Sequence, residues 1–268
     1  MRSGEWTGPE LKEQGIVEKH YGALAQRALF EDPAGLELDE AAKQKFETTF
    51  GTKWMDALAA GKICNLTEAL KRLGTMNEIQ IATAWRAGGS TKLLPGTYVA
   101  KVEDLFVING FYGDMVSSWK QDSARVLFYL VQWKEGDLRW SDFRLKVIGS
   151  TDPEKADPAS IRGVLLKEYQ TKFSLEVKPT TTLNGVHASA GSIEGTRECG
   201  IWAKSKASHL FLLEQAAKTN NVSNAVWKRA MDNDKVELKN GKKGLVFDVT
   251  EGMSATEALE VLKELSAL

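Results

Sequence analysis

Residues 125–133, RVLFYLVQW, constrain the fold most, because their length and their Val, Leu and Tyr content suit a central strand. Residues 98–102 read as a second strand. Helical patterns lie on either side of the longer run. Residues 105–120 precede it as a helix, and residues 140–148 follow with Phe143 and Val147 four apart. A sheet interleaved with helices makes the chain a mixed α/β protein.

The flanks divide further. Residues 1–15 are polar, carry Gly4, Gly8 and Pro9, and are expected to drape over the surface; residues 21–30 form a compact helix ended by Asp32-Pro33. Residues 38–87 are helical throughout. Residues 41–50 and 53–60 have apolar side chains three and four apart. Asn65 with Glu68 caps residues 66–73, and Ile79, Ile81, Ala82 and Trp85 mark a helix stopped at Gly88-Gly89. These helices predict a packed insertion, residues 35–96, outside the sheet. It separates an N-terminal segment, 1–34, from a core at 97–204. A C-terminal extension, 205–268, holds helices at 209–218 and 222–231 and a hairpin turning at Asn240-Gly241. Ser254 and Glu257 then box the start of a last helix, which runs to Leu265.

With 268 residues, 43% of them hydrophobic and 26% charged, the chain can bury a sizeable core as one large domain or two small ones. A net charge of −1 offers no basic face for general nucleic-acid binding. No apolar run approaches the ~20 residues that span a bilayer. The first residues lack the basic and apolar regions of a secretory signal. Cys64 and Cys199 are too few for a disulfide scaffold or a zinc site. The default expectation is an intracellular, cytoplasmic protein, with an organelle or cytoskeletal assembly left open.

The chemistry concentrates between Trp140 and Cys199, in three short runs. Gly149-Ser150-Thr151-Asp152-Pro153 reads as a turn, since proline pushes Asp152 out of the helical region. Ala159-Ser160-Ile161-Arg162-Gly163 opens a helix, with Asp157 placed to cap and Pro158 suited to its first position. Asn184-Gly185-Val186-His187-Ala188-Ser189 ends a β-leaning stretch. A hydroxyl, a guanidinium, an amide and an imidazole are thereby predicted to converge on one anion.

These residues resemble nucleoside diphosphate kinase. That family carries a Gly-x-Thr-Asn-Pro turn, then Ile-Arg-Gly with its arginine nine residues past the proline. An Asn-x-x-His-x-Ser run follows, with a glutamate eleven residues past the histidine. Here Pro153 to Arg162 is nine residues and His187 to Glu198 is eleven, while Asn184, His187 and Ser189 fall in register. The resemblance reaches back through Asn109-Gly110-Phe111-Tyr112 and covers residues 97–200, under half the chain. It implies a ferredoxin-like antiparallel sheet, with His187 as nucleophile, Glu198 orienting its ring and Ser189 in support. It also implies nucleotide contacts from Thr151, Arg162, Asn184, Phe111 and Lys19, and Mg2+ carried on the nucleotide phosphates. Partners would be nucleoside di- and triphosphates, in a homo-oligomer or a larger assembly.

The departures are specific. The family's Gly-Ser-Asp-Ser after the histidine is Ala188-Ser189-Ala190-Gly191, and its second phosphate-binding arginine aligns with Leu145, between Arg144 and Lys146. Its Lys-Pro-Asp-Gly opening is absent, Lys19-His20-Tyr21-Gly22 being the nearest candidate. A structural or nucleotide-sensing subunit with a degenerate kinase site is the alternative reading.

Overall fold

The computed structural model describes residues 2–181, 183–204 and 212–267. The chain divides into two compact units, one of Glu5–Leu127 and one of Met1–Gly4 with Phe128–Leu268. Strand β1 (Arg2–Thr7) opens the chain.

In the unit Glu5–Leu127, the polar start is structured. Thr7 caps helix α1 (Gly8–Gln14) in a capping box with Glu10, and Leu11 and Trp6 are buried. Helices α2 (Ile16–Tyr21) and α3 (Ala23–Leu29) follow. Helices α4 (Glu40–Phe50), α5 (Trp54–Ala59), α6 (Leu66–Arg72) and α7 (Glu78–Ala87) occupy the expected helical stretch. Asp39, Asn65 and Asn77 cap α4, α6 and α7 through their side-chain oxygens.

The fold is α+β, with a four-stranded mixed sheet flanked by helices. Its strands are β2 (Ile63–Asn65), β3 (Thr91–Leu94), β4 (Thr97–Val102) and β5 (Leu105–Ile108), in the order β2-β5-β4-β3. Strands β3, β4 and β5 run antiparallel, as the resemblance implies for the whole sheet, but β2 joins β5 in parallel. Residues 38–87 are therefore not an insertion outside the sheet. They contribute a strand to it, and α4 packs on its face. Phe46 sits at the centre of that contact, fully buried, with its ring 5.2 Å from Trp54 and 5.0 Å from Phe106. Ile63-Cys64-Asn65 is too short to show an alternation between helical neighbours. Residues 105–120 likewise split into β5 and helix α8 (Tyr112–Ser117), because four consecutive buried apolar residues carry no period.

Strand β6 (Arg125–Leu130) is not the central strand its composition suggests. Among the described residues it pairs with β1 alone, leaving Leu127 63% and Tyr129 58% exposed. Val126, Phe128 and Leu130 on its other face are half-buried.

In the unit that contains Phe128–Leu268, helix α9 (Trp140–Asp142) runs into a π-helical segment, Phe143–Ile148. Helix α10 (Ile161–Glu168) starts later than expected: Ser160 caps it, while Asp157 closes a turn onto the Ala159 N–H. Helix α11 (Ser192–Trp202) follows the histidine. Helices α12 (Leu212–Thr219) and α13 (Asn224–Met231) match the expected pair, with residues 209–211 outside the described residues. The hairpin is β7 (Lys235–Glu237) and β8 (Lys243–Leu245), with Gly241 at φ 82°. Helix α14 (Val246–Val249) takes the place of the expected end of its second strand. The capping box at Ser254 opens α15 (Ala255–Ser266) as its sequence predicts. Leu213, Val226, Val246 and Leu262 form one core with Ile193 of α11. Among the described residues no helix is long and apolar enough to cross a membrane.

Candidate functional site

The expected site residues divide between the two units. Lys19 and Phe111 belong to Glu5–Leu127. Lys19 lies on α2 and its Nζ donates to the Gln14 carbonyl at 2.6 Å. Phe111 precedes α8, with its ring 5.0 Å from Trp85 and 5.9 Å from Tyr98. Thr151, Arg162, Asn184, His187, Ser189 and Glu198 all belong to the other unit.

Within that unit the three runs meet. Gly149 holds φ 99°, and the hydroxyl of Ser160 stands 2.4 Å from where a Cβ would be, so only glycine lets the turn approach the start of α10 so closely. Arg162, 8% exposed, donates from Nη1 to the Gly149 carbonyl at 2.9 Å and from Nη2 to the Val186 carbonyl at 2.6 Å. Its Nε is buried without a partner. Asn184 Nδ2 donates to the Thr151 carbonyl at 3.3 Å. The turn, α10 and the histidine run are therefore stitched together, as expected. The stitches use the groups that the resemblance assigns to phosphate and sugar. Burial, then the charge of Arg144, presses the Arg162 guanidinium below its usual pKa.

His187 projects from this frame with its side chain 45% exposed, and its Nε2 lies 2.8 Å from Glu198 Oε1. The Ser189 hydroxyl donates to the other oxygen of Glu198, which is buried on α11. One carboxylate thus fixes both residues of the run. Burial is the largest influence on His187 and lowers its pKa. The hydrogen bond and charge of Glu198, with a smaller contribution from Glu194, outweigh it and leave the pKa above the ordinary imidazole value. Glu194 accepts the Ala190 N–H, and burial together with Glu198 pushes its carboxyl above the usual range.

Several contacts of the site are not read from its motifs. Trp140 Nε1 donates to the Ser189 carbonyl at 2.9 Å. Gly252 N–H donates to the Ala190 carbonyl at 2.9 Å, and Ser192 Oγ to the Ser254 carbonyl at 3.2 Å, so the loop before α15 lies along the histidine run. Arg144 pairs with Glu251 of that loop, Lys146 pairs with Asp142 at 3.0 Å, and Leu145 between them is 62% exposed. Glu194 had a signal, its spacing of four residues from Glu198. Trp140 and Gly252 had none, because their partners are remote in sequence. Comparison of the chain with protein-family models, with curated proteins and with solved structures finds no match.

Proposed function

We propose that the chain is a nucleoside diphosphate kinase-like phosphotransferase, moving the γ-phosphate of a nucleoside triphosphate to a nucleoside diphosphate through phospho-His187. The observation that carries the reading is the Ser189–Glu198–His187 chain. Glu198 engages Nε2, which supports attack from Nδ1. The Nδ1 lone pair takes the γ-phosphorus, the bond to the bridging oxygen breaks, and the nucleoside diphosphate leaves with its electron pair. A terminal oxygen of a second diphosphate then attacks the phosphohistidine, and the P–N electrons return to the ring. The proton stays on Nε2 throughout, donated to the Glu198 carboxylate, whose charge offsets that of the phosphorylated ring.

Such transfer asks the protein for positioning and charge neutralisation more than for covalent work. Arg162 retains N–H donors beyond the two given to carbonyls, its Nε among them. Thr151 and Asn184 border the same turn, and Mg2+ enters as part of the nucleotide.

Incubation with γ-labelled ATP tests this: acid-labile, base-stable phosphate should appear on the protein and be absent from His187→Ala. Unlabelled wild type, or label persisting in the variant, sinks the reading. A second reading, a nucleotide-sensing or structural subunit, is favoured by the carbonyl partners of Arg162 and the pairing of Arg144 with Glu251. It predicts nucleotide binding without phosphohistidine.

A further inference from the structure

The geometry points to Trp140 as a positioning residue for the His187–Glu198 pair. Its indole N–H donates at 2.9 Å to the carbonyl of Ser189, the residue whose hydroxyl holds Glu198. The ring also faces the helix that carries Glu198. Trp140 Cη2 lies 3.5 Å from where a Cβ on Gly195 would stand, and Ser189 Cβ and Oγ lie 3.6 Å from the same point. Gly195 is three residues before Glu198 on α11. The indole therefore sits where the histidine run and the glutamate helix approach one another, bonded to the first and facing the second.

The indole is itself held. Its centroid is 5.0 Å from Trp133, whose ring lies 5.0 Å from Phe143 and whose Nε1 donates to the Leu138 carbonyl at 2.7 Å. Aromatic pairs at such separations restrict one another's orientation. A fixed donor on a backbone carbonyl sets the height of Ser189 above α11. That height decides whether the Ser189 hydroxyl and the His187 ring both reach one carboxylate. Trp140 touches no reacting atom, so its action runs through Ser189.

Two measurements on the full chain test this. The kinetic one rests on the phosphohistidine reading. Trp140→Phe keeps a ring against Trp133 and removes the N–H. By loosening Ser189 and through it Glu198, it should lower kcat for phosphate exchange ~10-fold, with KM unchanged. The second is independent of turnover. In wild-type protein with 15N-labelled tryptophan, the Trp140 Nε1–H resonance should titrate with the same midpoint as the His187 ring. An unchanged kcat in the folded variant, or an indole resonance indifferent to the His187 titration, overturns the proposal. If the wild type forms no phosphohistidine, the exchange reading falls and the indole titration alone decides. If Trp140→Phe does not fold, the same titration decides.

Discussion

Glu194 and Glu198 stand one turn apart on α11, and both favour the protonated form of His187. Neutral imidazole is the attacking species, so exchange should rise with pH, with a midpoint above the ordinary histidine value of about 6.5. Glu194→Gln keeps an acceptor for the Ala190 N–H and removes one anion. Its expected effect is a lower midpoint, read from kcat/KM against pH or from the His187 ring resonance. Glu198→Gln removes the stronger anion and should move the midpoint further, with activity down ~10–100-fold. The same shift acts on stability. A raised folded-state pKa means protonated His187 adds stability below its unfolded pKa, and that contribution is lost as pH rises through the folded value. At this scale His187, Ser189 and Glu198 were legible through the resemblance, whose spacings single out all three. Arg162 was legible as a residue of the site but not in its partners, because no pattern records that a guanidinium will meet carbonyls at Gly149 and Val186.

Elements were legible where a cap or a period announces them. Asn65 and Ser254 each cap the helix that follows them, and the apolar period from Ile79 to Trp85 marks α7. The three residues of β2 were lost between helical neighbours, and the π-turn of Phe143–Ile148 hides inside an apparent α-period. That turn bears on the departure at Leu145. A wider turn changes the face on which each of Arg144, Leu145 and Lys146 emerges, so that Arg144 and Lys146 pair with Glu251 and Asp142 while Leu145 is exposed. The contact between the turn at Gly149 and the run at Val186 has a single buried fastener. Arg162→Lys cannot fork to both carbonyls and should cost ~1–3 kcal/mol of stability, measured by denaturant unfolding. A midpoint within error of wild type would show the stitch to be dispensable.

Each unit has its own core, and the cores differ in what they support. Phe46 anchors the sheet of Glu5–Leu127, whereas Leu262 shares a cluster with Ile193, which follows directly on Ser192 at the start of α11. Phe46→Ala should cost ~3–5 kcal/mol and Leu262→Ala ~2–5 kcal/mol. The distinguishing outcome is functional. Among folded molecules, Leu262→Ala should also slow labelling of His187, because its cavity opens beneath the helix that carries Glu198. Equal labelling in both variants would separate the C-terminal region from the site. The sequence marks the region after residue 204 as an extension of its own. The shared core with Ile193 was invisible there, since packing between residues some 70 apart leaves no periodic trace.

Strand β6 has a practical consequence for anyone handling the protein. A two-stranded ladder leaves unpaired N–H and C=O groups along its outer edges, and this one also shows Leu127, Tyr129 and Val131 to water. Such a strand is a template for another copy of itself, with no charge on those three positions to discourage pairing. Concentrated samples should therefore scatter light progressively on storage. Tyr129→Lys, which places a cation on the exposed face, should delay that onset while leaving the unfolding midpoint within about 0.5 kcal/mol of wild type.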